Sequence, residues 1–343
     1  MKNPVNIASD DKPLIIDADS VTGFHVYPDK KELSVYNTKG QLLWINYESY
    51  GVDPDQLAGK LAAAGNPVVS LPMRYEDKEY AHYVAPSAVT FATVTVPDKE
   101  GKIGTIVGVK GLGREESYGT KPEELKALMD GIEAAGKKML RFEPDVAHAR
   151  WYNAEALYID PATVTEIRDD GYQVNVYFET SGSLDVQTSL GLDKKNDREN
   201  ELLNEYWNSR EKYDDIKELK DAWRKAQEDV KAEETAARQS FANAVAAASD
   251  SLVKVPNEQR ALYIRPGGFD YISFYDDDRK DTSPDFKYLM TLERQRSEEN
   301  RYPEGLRAYF KSAAERAQAY AELVGTEPAK PASAKKAAKQ PKP

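Results

Sequence analysis

The chain has no cysteine and only three histidines and four tryptophans among 343 residues. Without cysteine there are no disulfides, no thiolate metal sites and no cysteine nucleophile. His25, His82 and His148 are scattered, and none has a second histidine at the two-, three- or four-residue spacing of a metal clamp or an HExxH helix. In predicted strands, His25 and His82 read as packed or exposed imidazoles. No G-x-S-x-G elbow occurs either. The expectation is a protein without catalytic residues, cofactor or metal.

Long apolar runs are also missing. No stretch of about 18 apolar residues could cross a membrane, and Met1–Asn6 lacks the apolar core of a signal peptide. The reading is a cytoplasmic protein of a bacterium or phage-infected host, or a virion protein, and not a secreted or membrane one.

Negative charge outweighs positive except at the end. The net charge is −11, yet residues 327–343 carry five lysines and one glutamate, so the remainder stands at −11 − 4 = −15. Such a body repels phosphate backbones, which disfavours nucleic acid as a partner. The tail, rich in Lys, Ala and Pro, cannot build a core, and Lys335, Lys336 and Lys339 are its candidate contacts with an acidic surface.

What is present is repetition. Ile15–Val21, Tyr83–Val89, Tyr158–Val164 and Tyr263–Phe269 share a register of apolar strand, bend and apolar strand. Downstream, Pro54, Pro122 and Pro303 follow the bend residues Ala18, Pro86 and Pro266 by 36, 36 and 37 residues. Each proline precedes acids or amides and a leucine, the pattern of a helix start, where proline lacks only a donor that would be unpaired. β-Branched and aromatic runs punctuated by Gly and Asn fill the interval as hairpins. Modules of roughly 55 to 70 residues bury little core alone and gain by packing on each other.

The fold class expected is α+β: four tandem antiparallel strand-plus-helix repeats (βββα or ββββα) with a long helical insertion after the third. The divisions are 1–12 loose, 13–72, 80–142 and 151–212 as the first three repeats, 213–255 as the insertion, 261–325 as the fourth repeat, and 326–343 as a disordered tail. From Asp193 to Val255 there is neither Gly nor Pro. Tyr213, Leu219, Trp223, Val230 and Phe241 fall on one stripe of this helix, which either packs along the repeats or projects as an arm or intermolecular coiled coil.

Three other patterns read as structure. Gly104, Gly108, Gly111 and Gly113 miss the spacing of a phosphate loop and suit strand contacts. The acidic run Asp276–Asp281 lacks EF-hand order and reads as a solvated turn. Tyr83, Tyr158 and Tyr263 share one slot of the repeat, which points to packing.

The strand, (Asp/Ala)-Pro bend, hairpin and Pro-Glu-x-Leu helix resemble the small one-module proteins of the FlbD-like flagellar type and short tailed-phage proteins of unassigned role. The resemblance covers Ile159–Ile167 and the helix starts at Pro122 and Pro303. It implies a non-catalytic, phage-borne module.

The leading functional expectation is therefore a structural or interaction protein, a pseudo-symmetric scaffold that assembles with itself or docks a protein partner. A second reading is single-stranded nucleic-acid binding through aromatic sheet faces and the basic tail. A third is an oligomer that sequesters a small ligand between copies.

Overall fold

Residue alternation places the core before any long-range contact forms. In the computed structural model, residues 1–9, 11, 13–75, 78–97, 99, 103–144, 146–149, 154–179, 181–188, 201, 204, 216–249, 251–257, 260–266, 271–276, 287–293 and 306–325 are described. The chain falls into two units, Met1–Asp250 and Ser251–Pro343. Antiparallel sheets and a few helices make it an α+β protein.

The first unit opens with β1 (Pro4–Asn6), β2 (Ile15–Asp17), β3 (Val21–Tyr27), β4 (Glu32–Asn37), β5 (Gly40–Asn46) and helix α1 (Pro54–Ala63). There follow β6 (Val69–Tyr75), β7 (Lys78–Val84), β8 (Val89–Thr95), β9 (Ile103–Val109), β10 (Gly113–Thr120) and α2 (Pro122–Ala134). Last come β11 (Leu140–Phe142), β12 (Ala147–Ala149), β13 (Ala154–Ile159), β14 (Val164–Asp169), β15 (Val174–Phe178), β16 (Gly182–Thr188) and α3 (Ile216–Ala248).

Both helix starts with proline at the first turn form where the sequence places them. Asp53 caps α1, its carboxylate accepting from the amides of Asp55 at 3.0 Å and Gln56 at 3.4 Å. At α2 the Glu124 carboxylate accepts from the Lys121 amide at 2.8 Å, satisfying a donor that the first turn leaves open.

Two five-stranded sheets have the same form of order. The first runs β5-β4-β3-β7-β6 and the second β10-β9-β8-β13-β11. In each, three consecutive strands are completed by strands from the segment that follows. A third group runs β12-β16-β15-β14. In the first sheet Phe24, Leu33, Val35, Leu57 and Leu61 close one face; each such side chain contributes about 1.5–3 kcal/mol of burial. In the second, Val89, Val107, Val109, Leu128 and Ile132 do the same.

The strand-to-strand bends at Ala18–Ser20, Pro86–Ala88 and Pro161–Thr163 are single 3₁₀ turns. Each is met by the end of a helical segment. Asn66, just after α1, donates to the carbonyls of Ala18 at 2.7 Å and Val21 at 2.8 Å. A Cβ at Gly131 of α2 would lie 2.6 Å from the Pro86 ring, so only glycine permits this approach. Ser249, just past α3, donates to the Pro161 carbonyl at 3.0 Å. The fourth expected bend, at Pro266, runs into residues outside those described.

Helix α3 packs on β14, β16 and the Pro161 turn. Val230, Phe241, Ala242 and Val245 are buried along one side, and Arg238 donates to Asp169 at 3.0 Å. Phe241 meets Phe142 edge to face, ring centroids 4.8 Å apart.

The second unit contains β17 (Val253–Asn257), β18 (Arg260–Ile264), β19 (Tyr271–Asp276), β20 (Tyr288–Glu293), β21 (Leu306–Phe310) and α4 (Ala313–Val324). Its core includes Val255, Leu262, Met290, Leu292, Phe310 and Leu323. The helix start read at Pro303 is displaced here. Ala308 and Phe310 are buried in a strand paired with β20, and the helix begins after Ser312, whose hydroxyl accepts from the Glu315 amide at 3.2 Å. Strand pairing takes Leu306–Phe310, and the real cap lies further on.

Among the described residues no helix is long and apolar enough to cross a membrane.

Candidate functional site

The residues that sequence spacing separates, sheet pairing joins. Gly23, His25 and Tyr27 alternate with buried Phe24 and Val26, so His25 stands on the face of β3 opposite the apolar core. His82 stands likewise on β7. The β3–β7 register sets His25 directly opposite His82, and His25 also faces Ser34 of β4. The imidazole centroids are 4.1 Å apart, tilted at 47°. A Cβ at Gly23 would come within 2.6 Å of the Tyr83 carbonyl, so glycine admits this close strand approach.

The third member arrives from the second sheet. The β9–β10 turn lies against the β4–β5 turn so closely that a Cβ at Gly111, whose φ is +72°, would sit 1.7 Å from the Asn37 carbonyl oxygen. Beyond it, strand alternation sends Arg114 and Glu116 one way, paired at 2.8 Å, and Glu115 and Ser117 the other. Ser117 donates to the Pro72 carbonyl of β6. Glu115 Oε2 reaches His82 Nδ1 at 2.6 Å and His25 Nε2 at 3.5 Å.

Aromatic residues enclose the group. Tyr27 Oη lies 3.1 Å from His25 Nδ1, and the Tyr36 ring is 4.9 Å from the His25 ring. Tyr80 meets Tyr27 edge to face at 5.8 Å. The side chains of His25, His82 and Glu115 are 12%, 4% and 11% exposed, so water has limited access.

Charge follows from this enclosure. Burial pushes the Glu115 carboxyl up, but its contacts with His25 and His82 outweigh that and bring it down to about 2. Burial lowers His82, against the pull of Glu115, so its neutral form is favoured. Burial first, and then neighbouring charge, pushes Tyr27 up to about 12. Near neutral pH the site is one carboxylate between imidazoles, with un-ionised tyrosine beside it. Such a set can relay a proton or offer two nitrogens and an oxygen to a metal.

No protein-family model, curated protein or solved structure matches this chain.

Of the expected interaction residues, Val230 and Phe241 are buried in the first unit and Trp223 is partly covered on α3. Leu219 also lies on α3. Tyr213, Lys335, Lys336 and Lys339 fall outside the described residues. Gly104 and Gly108 lie in β9, where a Cβ would press on Thr95 at 2.9 Å and Phe91 at 2.1 Å. Of the repeated tyrosines, Tyr83 stacks on Phe24 at 4.2 Å and donates to Asp55 at 2.9 Å, while Tyr263 is buried.

Spacing rules missed the His25–His82–Glu115 group because its members lie on three strands. The available signal was alternation: His25 is flanked by Phe24 and Val26, which face the other way, and His82 by Ala81 and Tyr83.

Proposed function

We propose that the chain is a non-enzymatic structural and interaction protein, built from four tandem strand-plus-helix modules that together form a rigid scaffold. The observation that carries this reading is the common order of the two five-stranded sheets, in which each triplet of strands is completed by strands from the next segment. A module of this kind leaves a sheet edge that its successor covers, so neighbours within the first unit stiffen one another. The helix ends seated on the 3₁₀ turns at Ala18, Pro86 and Pro161 supply a second element of the same repetition.

In this reading the protein acts by presenting surfaces, with copies of itself as its first partner. The setting is the cytoplasm of a bacterium or phage-infected host, or a virion. Light scattering over a wide concentration range tests it. A defined mass at a multiple of 38.4 kDa supports self-assembly, and a monomer at every concentration removes it.

A second reading, single-stranded nucleic-acid binding, is favoured by Trp44 of β5 and Tyr172, which are 63% and 88% exposed and free to stack on bases. Mobility shift at low and high salt separates the two, and no shift at low salt ends this one.

A further inference from the structure

We propose that His25, His82 and Glu115 form a binding site for a single divalent transition ion of the zinc class, which ties the first sheet to the second. This inference rests on the geometry of the group and not on the scaffold reading.

Three observations carry it. Nitrogen and oxygen donors from β3, β7 and β10 lie within 4.8 Å of one another, so three strands aim one ligand atom each at a common point. His25 Nε2 is buried and has no hydrogen-bond partner of acceptable geometry, although Glu115 Oε2 is 3.5 Å away. A buried polar nitrogen in that condition costs free energy that a ligand would recover. Finally, His25 is oriented through its other nitrogen by the Tyr27 hydroxyl at 3.1 Å, the outer-shell arrangement that fixes the ring of a metal-bound histidine.

The distances suit a small ion. With bonds of about 2.0–2.2 Å, two ligand atoms of a tetrahedral zinc site stand about 3.3 Å apart. The His25–Glu115 separation of 3.5 Å is already there, and the His82–Glu115 contact of 2.6 Å must open by about 0.7 Å, a small side-chain rotation. Both imidazoles bind as neutral bases, and His25 then donates its Nδ1 proton to the Tyr27 oxygen. Water takes the fourth position. Two imidazoles and one carboxylate suit Zn²⁺, Co²⁺, Ni²⁺, Cu²⁺ or Fe²⁺, whereas Ca²⁺ and Mg²⁺ take oxygen ligands. The role assigned to the ion is a staple: Glu115 belongs to one sheet and both histidines to the other.

The test uses the full chain without a histidine tag, stripped with a chelator and titrated with Zn²⁺ by calorimetry, with Co²⁺ absorption as the reporter of coordination. The expected result is one Zn²⁺ per chain, a raised Tm, and Co²⁺ d–d bands of four- or five-coordinate intensity. His25→Gln and Glu115→Gln lose both the bands and the stoichiometric uptake, with far-UV circular dichroism confirming their fold. Tyr27→Phe keeps all three ligands and binds about 10- to 100-fold more weakly. Failure of the wild-type chain to take up one equivalent overturns the site without recourse to any variant. So does uptake that survives unchanged in both His25→Gln and Glu115→Gln.

Discussion

Glu115 Oε2 lies 2.6 Å from His82 Nδ1, a contact that reaches from the second sheet to the first. Its partners are almost wholly enclosed, so removing the carboxylate leaves polar nitrogens buried rather than returned to water. Glu115→Ala is expected to lower stability by about 1–3 kcal/mol, the cost of such an orphaned group. Urea unfolding in the presence of chelator measures it. An unchanged midpoint would mean that the contact adds nothing to the metal-free fold.

Lys137 donates to Asp160 at 2.6 Å and to the Val89 carbonyl at 2.5 Å, and the Asp160 carboxylate also accepts from the Ala162 amide at 3.2 Å. Both side chains are largely buried. Asp160→Ala strands a buried ammonium and removes the turn's cap, with an expected loss of about 3–5 kcal/mol. Asp160→Asn keeps the cap and should lose less. Chemical denaturation of the two variants side by side checks the order.

Tyr83 should titrate late. Burial, with its hydrogen bond to Asp55 second, pushes its hydroxyl up to about 12 from 10.0. The folded state thus holds a proton that the unfolded chain gives up near pH 10. That contribution to stability is complete below pH 10 and is lost as the pH rises to about 12. The phenolate absorbance of wild type minus Tyr83→Phe should show one tyrosine ionising near pH 12. Ionisation near pH 10 would contradict it.

Phe241→Ala removes a buried ring from the α3 contact with Phe142. The expected cost is about 3–5 kcal/mol, as for other buried aromatics. A helix held only by its own propensity would lose far less, so thermal unfolding of this variant measures how firmly α3 is docked.

Much of the secondary structure was legible in the sequence because it depends on near neighbours. Pro54 and Pro122 open helices since proline at the first turn needs no donor, and the absence of Gly and Pro marks α3, although that helix ends at Ala248 and Val253–Asn257, which overlaps the end of the expected insertion, is strand β17. Ala18, Pro86 and Pro161 mark real turns between strands. Leu306–Phe310 was misread because Pro303-Glu304 imitates a helix start, while pairing with β20 decides the strand. The histidine site was illegible for a related reason. His25 and His82 become neighbours only once β3 pairs with β7, and nothing local names a strand's partner. Glu115 adds a second sheet to the problem.

The central claim is that successive modules share sheets, and hydrogen exchange on the full chain, read by mass spectrometry, tests it most directly. If β7 completes the first sheet, amides of β3, β4 and β7 open together with one free energy, although α1 lies between them in sequence. If β7 instead exchanges in step with β8 and β9 while β3 and β4 open separately, each module folds on its own and the interlocked scaffold is wrong.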